Sequence, residues 1–412
     1  MGWVKVLRDV GSLRFIVLQD KYGTCQITCK KGVVSDETFE KAKVGRQWCL
    51  AVRATVKHFE KAPGGVELVP SEIRVLNVTP EKLPIDLTKA TRTELDRRLD
   101  NRVLDLRDPR NLAIFQVQDV VLQAIREYLT SQHFTEIQTP KIIATATEGG
   151  TELFPIMYFD REAFLSQSAQ LYKEQLSSVF ERVFEVAACY RAEKSRTKRH
   201  VCEIYTLDIE IAFGDLEDVL QVLENLIHHV TKRVKADCSP ELETLGVADE
   251  FEVPSTPFDR YTYTELLDLL EKEANYHLDW GEDIPTEAYR KLGELLPGYY
   301  YVTDWPSVMK PFYIMPRKDD PKVSESFDLQ KGWLELTSGG TRVHQKEMLV
   351  ARLKEKGLNP ASFEYHLRNF DFGMPPHAGM GLGIARLLTV LLNLDDVREA
   401  ILYPRTPDRL TP

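Results

Sequence analysis

The chain has 412 residues and a formal net charge of −10, with 43% hydrophobic and 28% charged residues, a balance that fits a soluble globular protein with two or three cores. No apolar run approaches the ~20 residues needed to span a bilayer, and the opening "MGWVKVLRDVG" lacks the apolar core of a secretory signal. Six cysteines without CxxC spacing and nine histidines without an HExxH arrangement argue against zinc sites and disulfide frameworks, and predict reduced thiols in a cytoplasmic protein.

Residues 1–80 carry 13 Lys/Arg against 8 Asp/Glu, a net of +5, which leaves −15 on residues 81–412. A basic end on an acidic body points to a polyanionic partner. The same residues alternate in five short runs, "GWVKVLRDVG", "RFIVLQD", "TCQITCK", "QWCLAVRATVKHF" and "GVELVPSEIRVL", separated by turns such as "KYG" and "KAPGG". Five strands with Gly-containing turns predict a small antiparallel barrel of the OB-fold kind, a fold that often binds oligonucleotides without by itself proving it.

Residues 81–110, charged and interrupted by prolines, read as a hinge, and a second, larger domain follows over 111–412. Val117, Val120, Val121, Ala124, Ile125, Tyr128 and Leu129 recur at helical spacing. The helix runs into "FTEIQTPKII", read as one short strand carrying Pro140. "ERVFEVAACY" and the alternating "LDIEI" read as two strands flanking "RAEKSRTKRH", which holds five cations within the nine residues Arg191–Arg199. From that stretch alone, a solvated turn and an anion clamp both remain open. A helix over about 214–236 follows, then an acidic, loop-rich insertion over about 238–300 with one amphipathic segment, "YTELLDLLEKE". Alternation returns in "SESFDLQKGWLELTSGG", and "GMGLGIARLLTVLLNL" enters a buried helix.

Three separated segments, Pro140 after "FTEIQT", "YRAE…RH…E" and "GMGLGIAR", resemble in order and spacing motifs 1, 2 and 3 of class II aminoacyl-tRNA synthetases. "IIATATEGGTELF", "FLSQSAQLYKEQ", "ELTSGGTRVH" and "FGMPPHAGMGLGIARL" narrow the resemblance to class IIb aspartyl-tRNA synthetases of the archaeal type. The resemblance implies a multi-domain protein: an N-terminal OB-fold β-barrel gripping the anticodon and an α+β class II catalytic domain on an antiparallel sheet. It implies ATP-dependent ligation of L-aspartate to tRNA(Asp) through an adenylate, with Mg²⁺, in a homodimer formed around Pro140. Negative charge building on phosphoryl oxygens calls for fixed cations rather than a proton shuttle.

By the resemblance, Arg191 contacts the α-phosphate and the substrate carboxylate, Arg199, His200 and Arg386 hold the outer phosphates, and Glu193 accepts from the adenine amino group. Asp328 and Glu335 would ligate Mg²⁺, with Ser338 beside them. Ser168, Gln170 and Lys173 would bind the amino acid, Lys173 and a bidentate Arg342 facing its side-chain carboxylate, Gln170 and Asp208 its ammonium. Glu148, with Thr147, Gly149 and Gly150, resembles a loop that closes over the amino acid. Phe15 and Gln26 match the anticodon readers, with Arg8 nearby and Glu67 a looser match. Bland alternatives stand beside these: Lys173 as a solvated helix lysine, Phe15 as barrel core, Asp328 as a turn residue, Arg386 as a helix-surface cation.

The pattern is departed from in places. Ala385 precedes Arg386 where glutamate is usual, Ala169 stands for a proline, Thr341 for a glutamine, and Ile204-Tyr205 where an aromatic often stacks adenine. Lys194, Arg196 and Lys198 make the second motif unusually basic and suit the acceptor end of tRNA. Pro63 in "EKAPGG" resembles relaxed enzymes that also aspartylate tRNA(Asn), and Lys5 leaves the neighbouring determinant ambiguous. An asparaginyl-tRNA synthetase, a related amidating enzyme and a non-catalytic tRNA-binding paralogue are the competing readings. Lys173, the barrel and the retained Arg191, Asp328, Glu335 and Arg386 argue against them respectively.

Overall fold

The structure, a computed structural model, describes residues 1–87, 93–145, 152–195 and 197–412, with Pro63 described by its backbone alone. The chain divides into two compact units, Met1–Leu112 and Ala113–Pro412.

In the first unit, β1 (Gly2–Asp9), β2 (Leu13–Gln19), β3 (Thr24–Lys30), β4 (Cys49–His58) and β5 (Val66–Asn77) close into a barrel in the order β1-β2-β3-β5-β4. The five expected strands are all present; β3 and β5 run parallel and the other pairs antiparallel. Each strand sends one fully buried aliphatic inward: Val4, Ile16, Ile27, Leu50 and Ile73. Period-2 alternation then places their neighbours on the outer face. Pro63 opens the short turn Pro63–Gly65 between β4 and β5.

The segment expected to be a hinge is more structured than its prolines implied. Helices occupy Leu95–Asp100 and Arg102–Asp105, and the buried Arg102 and Asp105 pair at 2.6 Å. The Arg107 carbonyl accepts from Gln19 Nε2 at 2.6 Å, while its guanidinium donates to Gln47 at 2.9 Å and lies 4.4 Å from the Trp3 ring centre. Arg98 and Arg102 both pair with Asp105 and Arg107 is held by the barrel, so 93–112 folds onto that unit. Residues 88–92 lie outside the described residues.

The second unit is built on an eight-stranded sheet. Its strands are β6 (Thr135–Glu136), β10 (Arg182–Tyr190), β11 (Glu203–Ala212), β12 (Asp259–Thr262), β13 (Tyr299–Thr303), β14 (Ser326–Lys331), β15 (Leu334–Thr341) and β16 (His377–Gly383). They lie in the order β12-β13-β14-β15-β16-β11-β10-β6, antiparallel except for the outermost pairs β12/β13 and β6/β10. A small sheet, β7 (Ile142–Ile143), β9 (Arg161–Leu165) and β8 (Pro155–Tyr158), stands apart. Helix Pro109–Ser131, with Ala113, Val117, Val121, Ala124, Ile125 and Leu129 buried, and helix Leu216–Asp237 share one core with Leu207, Ile209, Ile211, Met380 and Leu382 of the sheet. The latter helix starts at a capping box, Asp215 with Asp218.

Two expectations are corrected. "FTEIQTPKII" is not one strand but two pairs of residues in different sheets, with Pro140, which lacks a ladder donor, exposed between them. The 238–300 region holds not one amphipathic segment but three helices, Ser239–Leu245, Tyr263–Ala274 and Thr286–Leu295, joined by long loops, and Tyr263, Leu266, Leu270, Ala288 and Leu292 pack in a core apart from that of the central sheet. No helix among the described residues is long and apolar enough to cross a membrane.

Candidate active site

Alternation along β11 sends Leu207, Ile209 and Ile211 into the core and turns Thr206, Asp208 and Glu210 to the other face. Strand register carries that polarity across the sheet. Glu185 (β10), Asp208 (β11), Gly381 (β16), Ser338 (β15) and Asp328 (β14) lie on one continuous rung, and directly opposed residues share a face. On β16, Ala378, Met380 and Leu382 are buried in the core, which leaves Gly379, Gly381 and Gly383 on the polar face. A Cβ on Gly379 would fall 2.1 Å from Glu210 Oε2, one on Gly381 3.4 Å from Asp208 Oδ1. The glycines therefore make a floor without side chains, where a cavity of about 390 Å³ opens.

Twelve expected residues line this one cavity: Ser168, Gln170, Lys173, Arg191, Glu193, Arg199, His200, Asp208, Glu335, Ser338, Arg342 and Arg386. They come from strands, helices and loops far apart in sequence. Glu148, Thr147, Gly149 and Gly150, and Arg196, lie outside the described residues. Arg8, Phe15, Gln26 and Pro63 belong to the barrel unit. There, Phe15 alternates with the buried Ile16, so it faces outward and is not barrel core; Arg8 and Thr28 flank it on adjacent strands. Gln26 lies opposite Glu67, whose carboxylate accepts from Thr28 at 2.6 Å.

At the amino-acid end, helix Gln170–Phe180 buries Gln170, Lys173, Glu174 and Ser177. Lys173 is only 2% exposed, which rules out a solvated lysine. Its ammonium donates to Asp208 Oδ1 and the Met380 carbonyl, both at 2.9 Å, and lies 3.6 Å from Glu210 Oε2. Burial pushes the Asp208 carboxyl upward, but Lys173 and the Thr206 hydroxyl more than offset it and hold it below its usual range. Arg342 does not present a free fork as expected. Its Nε and Nη2 engage Glu210 at 2.9 and 3.3 Å, leaving Nη1 as the remaining donor group. Burial would lower the guanidinium, yet Glu210 raises it. Behind this layer Glu174, fully buried, accepts from Gln170 Nε2 at 2.6 Å and lies 3.5 Å from both His366 and His377.

At the other end, Arg386 donates to the Glu335 carbonyl at 3.0 Å and its carboxylate at 3.2 Å. Arg199 lies 5.2 Å from the Trp333 ring centre and donates to Thr286 at the start of helix Thr286–Leu295, so the insertion reaches the basic loop. Glu193 accepts from the Ser195 backbone N–H at 2.8 Å, and His200 shares a 2.6 Å hydrogen bond with Thr197. Burial, with Arg386 and Arg199 nearby, keeps His200 below its usual value despite Glu193 and Glu335, so neutral imidazole is favoured. Asp328 is 4% exposed and pairs with Lys310 at 2.7 Å. Burial, reinforced by Glu335, holds its carboxyl above the usual range although Lys310 opposes this. It is neither a turn residue nor a cavity-lining one.

For a divalent metal the donor set fits. Asp328 and Glu335 offer hard oxygens on adjacent strands, and Asp328 Oδ1 is buried without a hydrogen-bond partner. Among the described residues no group of three or more His, Cys, Asp or Glu side chains converges as a metal site.

Sequence reasoning missed Glu210, Glu174, Lys310 and Lys141. Glu210 carried a signal: in "DIEI" two acids share one strand face opposite Ile209 and Ile211, so that face had to be a site. Lys141 joins Thr139 and the buried Glu185 at 3.0 Å each, clamping the chain on both sides of Pro140. Only tertiary proximity reveals Lys310.

The model of tRNA synthetases class II (D, K and N) matches residues 94–407, and that of the OB-fold nucleic acid binding domain matches residues 1–76. The chain is 48% identical over 413 residues to the aspartate–tRNA(Asp/Asn) ligase of Archaeoglobus fulgidus, covering 100% of this chain and 95% of that protein. It is 47% identical over 414 residues to the ligase of the same name from Methanothermobacter thermautotrophicus, covering 100% and 94%. The asparaginyl-tRNA synthetase from Pyrococcus horikoshii complexed with asparaginyl-adenylate superposes with a TM-score of 0.94 at 35% identity, over 100% of this chain and 95% of that one. The aspartyl-tRNA synthetase from Entamoeba histolytica gives 0.86 at 31%, over 100% and 89%.

Proposed function

Because the chain belongs to the class II tRNA synthetases of the D, K and N group, we propose that it ligates L-aspartate to tRNA(Asp), and also to tRNA(Asn), through an aspartyl-adenylate. The observation that carries the amino-acid choice is the meeting of two buried cations, Lys173 and Arg342, around Glu210 on the cavity wall. An amide substrate needs no such cations; a second carboxylate does.

The chain's residues then divide the work. Arg342 Nη1 and Lys173 hold the side-chain carboxylate. The Gln170 carbonyl oxygen, turned by the bond from its amide to Glu174, and Asp208 accept from the ammonium. Ser168 and Ser338 complete that end. Arg191 draws the attacking carboxylate oxygen and the α-phosphate together, where a properly oriented pair gains most of the acceleration. Arg199, His200 and Arg386 bind the departing pyrophosphate, and Glu193 accepts from adenine. Asp328 and Glu335 would hold Mg²⁺, which when bound supplies charge neutralisation at the phosphate oxygens. A terminal ribose hydroxyl of tRNA then attacks the adenylate carbonyl and AMP leaves. Lys194 and Lys198, beside the site, suit the acceptor end. The enzyme is read as a cytoplasmic homodimer, its two-fold contact made near Pro140 and the exposed Ile142, Met157 and Phe159.

Amino-acid-dependent ATP–pyrophosphate exchange with all twenty amino acids tests the reading. Exchange with aspartate alone supports it; exchange with asparagine alone, or none, overturns it. For the acceptor, the names of the relatives and a proline at position 63, which offers neither charge nor N–H to a base edge, favour relaxed reading. Comparable aspartylation of purified tRNA(Asp) and tRNA(Asn) is expected, and discrimination of about a hundredfold, roughly 2.8 kcal/mol, would end it.

A further inference from the structure

With Asp328 and Glu335 read as metal-binding carboxylates, one cation among the described residues of the cavity is left without a role, and the role proposed for it rests on that reading. Lys310 lies in the loop between β13 and β14 and lines the cavity. Its ammonium is 2.7 Å from Asp328 Oδ2 and 4.3 Å from the Trp305 ring centre, with 12% of its side chain exposed. Trp305 is fixed in turn, buried and donating its indole N–H to the Val302 carbonyl at 3.1 Å.

Oδ1 of Asp328 is buried, and Lys310 reaches Oδ2 from the cavity. One carboxylate oxygen of Asp328 is therefore already paired with a cation. A carboxylate as buried as that of Asp328 needs a counter-cation whether or not a metal is bound. Lys310 supplies that charge in the protein alone. We propose that Lys310 is a tethered counter-cation that competes with divalent metal for Asp328, so that metal is taken up together with the nucleotide rather than before it. ATP carries the anionic oxygens that make the exchange favourable. An ammonium displaced from Oδ2 on a flexible four-carbon stem finds a phosphate within the same cavity, whereas without nucleotide it would lose its anionic partner in a half-desolvated site.

The experiment is Mn²⁺ titration of the full chain, followed by the electron paramagnetic resonance of free Mn²⁺, with and without a non-hydrolysable ATP analogue. Nucleotide-free K310M should bind Mn²⁺ about ten- to a hundredfold more tightly than the unaltered protein, the scale of one charge-assisted contact. The gain in affinity that the analogue confers should shrink by a similar factor. K310R, which keeps the charge, should behave as the unaltered protein does, and K310Q should behave as K310M and serve in its place should the latter not fold. D328N should weaken Mn²⁺ binding in both conditions. If D328N binds Mn²⁺ unchanged, the carboxylates are not the metal site and the underlying reading fails. If D328N weakens binding but K310M and K310Q bind no more tightly than the unaltered protein without nucleotide, the competition alone is refuted.

Discussion

Lys173 has its ammonium surrounded by Asp208, the Met380 carbonyl and Glu210, so its charge holds the fold before any substrate arrives. Lys173→Met strands the buried Asp208, and breaking such a pair costs about 3–5 kcal/mol. Denaturant unfolding should register that loss, and aspartate-dependent exchange should fall at least about ten- to a hundredfold. Exchange unchanged in a destabilised variant would make the residue purely structural. The Glu174–His377 contact gives a pH signature. Burial lowers His377, but the Glu174 carboxylate prevails and raises it above 6.5; burial raises Glu174, but His366 and His377 prevail and lower it below 4.5. The His377 contribution is therefore complete below 6.5 and fades as pH rises through the folded value, and that of Glu174 is complete above 4.5 and fades on acidification. The stability lost in His377→Asn should be largest between these values and shrink on the alkaline side, as denaturant unfolding at a series of pH values would reveal. A constant difference at all pH values would show that the imidazole is never charged.

Among the elements, β16 states most plainly why its sequence alternates. Met380 and Leu382 fill the core while Gly379 and Gly381 clear the cavity face. The two glycines should fail differently. Gly379→Ala places a Cβ 2.1 Å from Glu210 Oε2 and must disrupt the Arg342 pair, costing about 1–3 kcal/mol. Gly381→Ala meets Asp208 at an ordinary 3.4 Å, so stability should hold while KM for the amino acid rises. Melting curves beside exchange kinetics separate the two, and equal melting temperatures for both variants would contradict the packing argument. "GMGLGIAR" was legible as a segment resembling the third motif; that one glycine serves packing and the next serves the cavity needed the register with β11 and β15. "FTEIQTPKII" misled because an apolar run of that length cannot say that its halves pair with different sheets.

For the whole molecule, the two units invite separate measurements. Phe15→Ala removes an outward aromatic from the barrel, and base stacking on such a ring is worth about 1–3 kcal/mol. KM for tRNA should rise accordingly, with tRNA-independent adenylate formation as the internal reference; a parallel fall in both would point to barrel collapse. Assembly is tested by sedimentation at micromolar concentration, where a species twice the 47.3 kDa chain is expected and the chain alone would refute the two-fold contact at Pro140.

The alternating runs of residues 2–78 determined the barrel, because period-2 burial and glycine or proline punctuation are local properties, whereas the sheet and most cavity-lining residues followed from the family resemblance that the ordered motifs carry. The pairing partners were beyond it. That Arg342 is committed to Glu210, that Lys310 neutralises Asp328, and that the 238–300 helices reach Arg199 through Thr286 follow from strand order and from residues 132, 18 and 87 positions apart meeting in space. Charge in a low-dielectric cavity takes whichever counter-charge the fold brings within a few ångströms, and only the tertiary structure decides which that is.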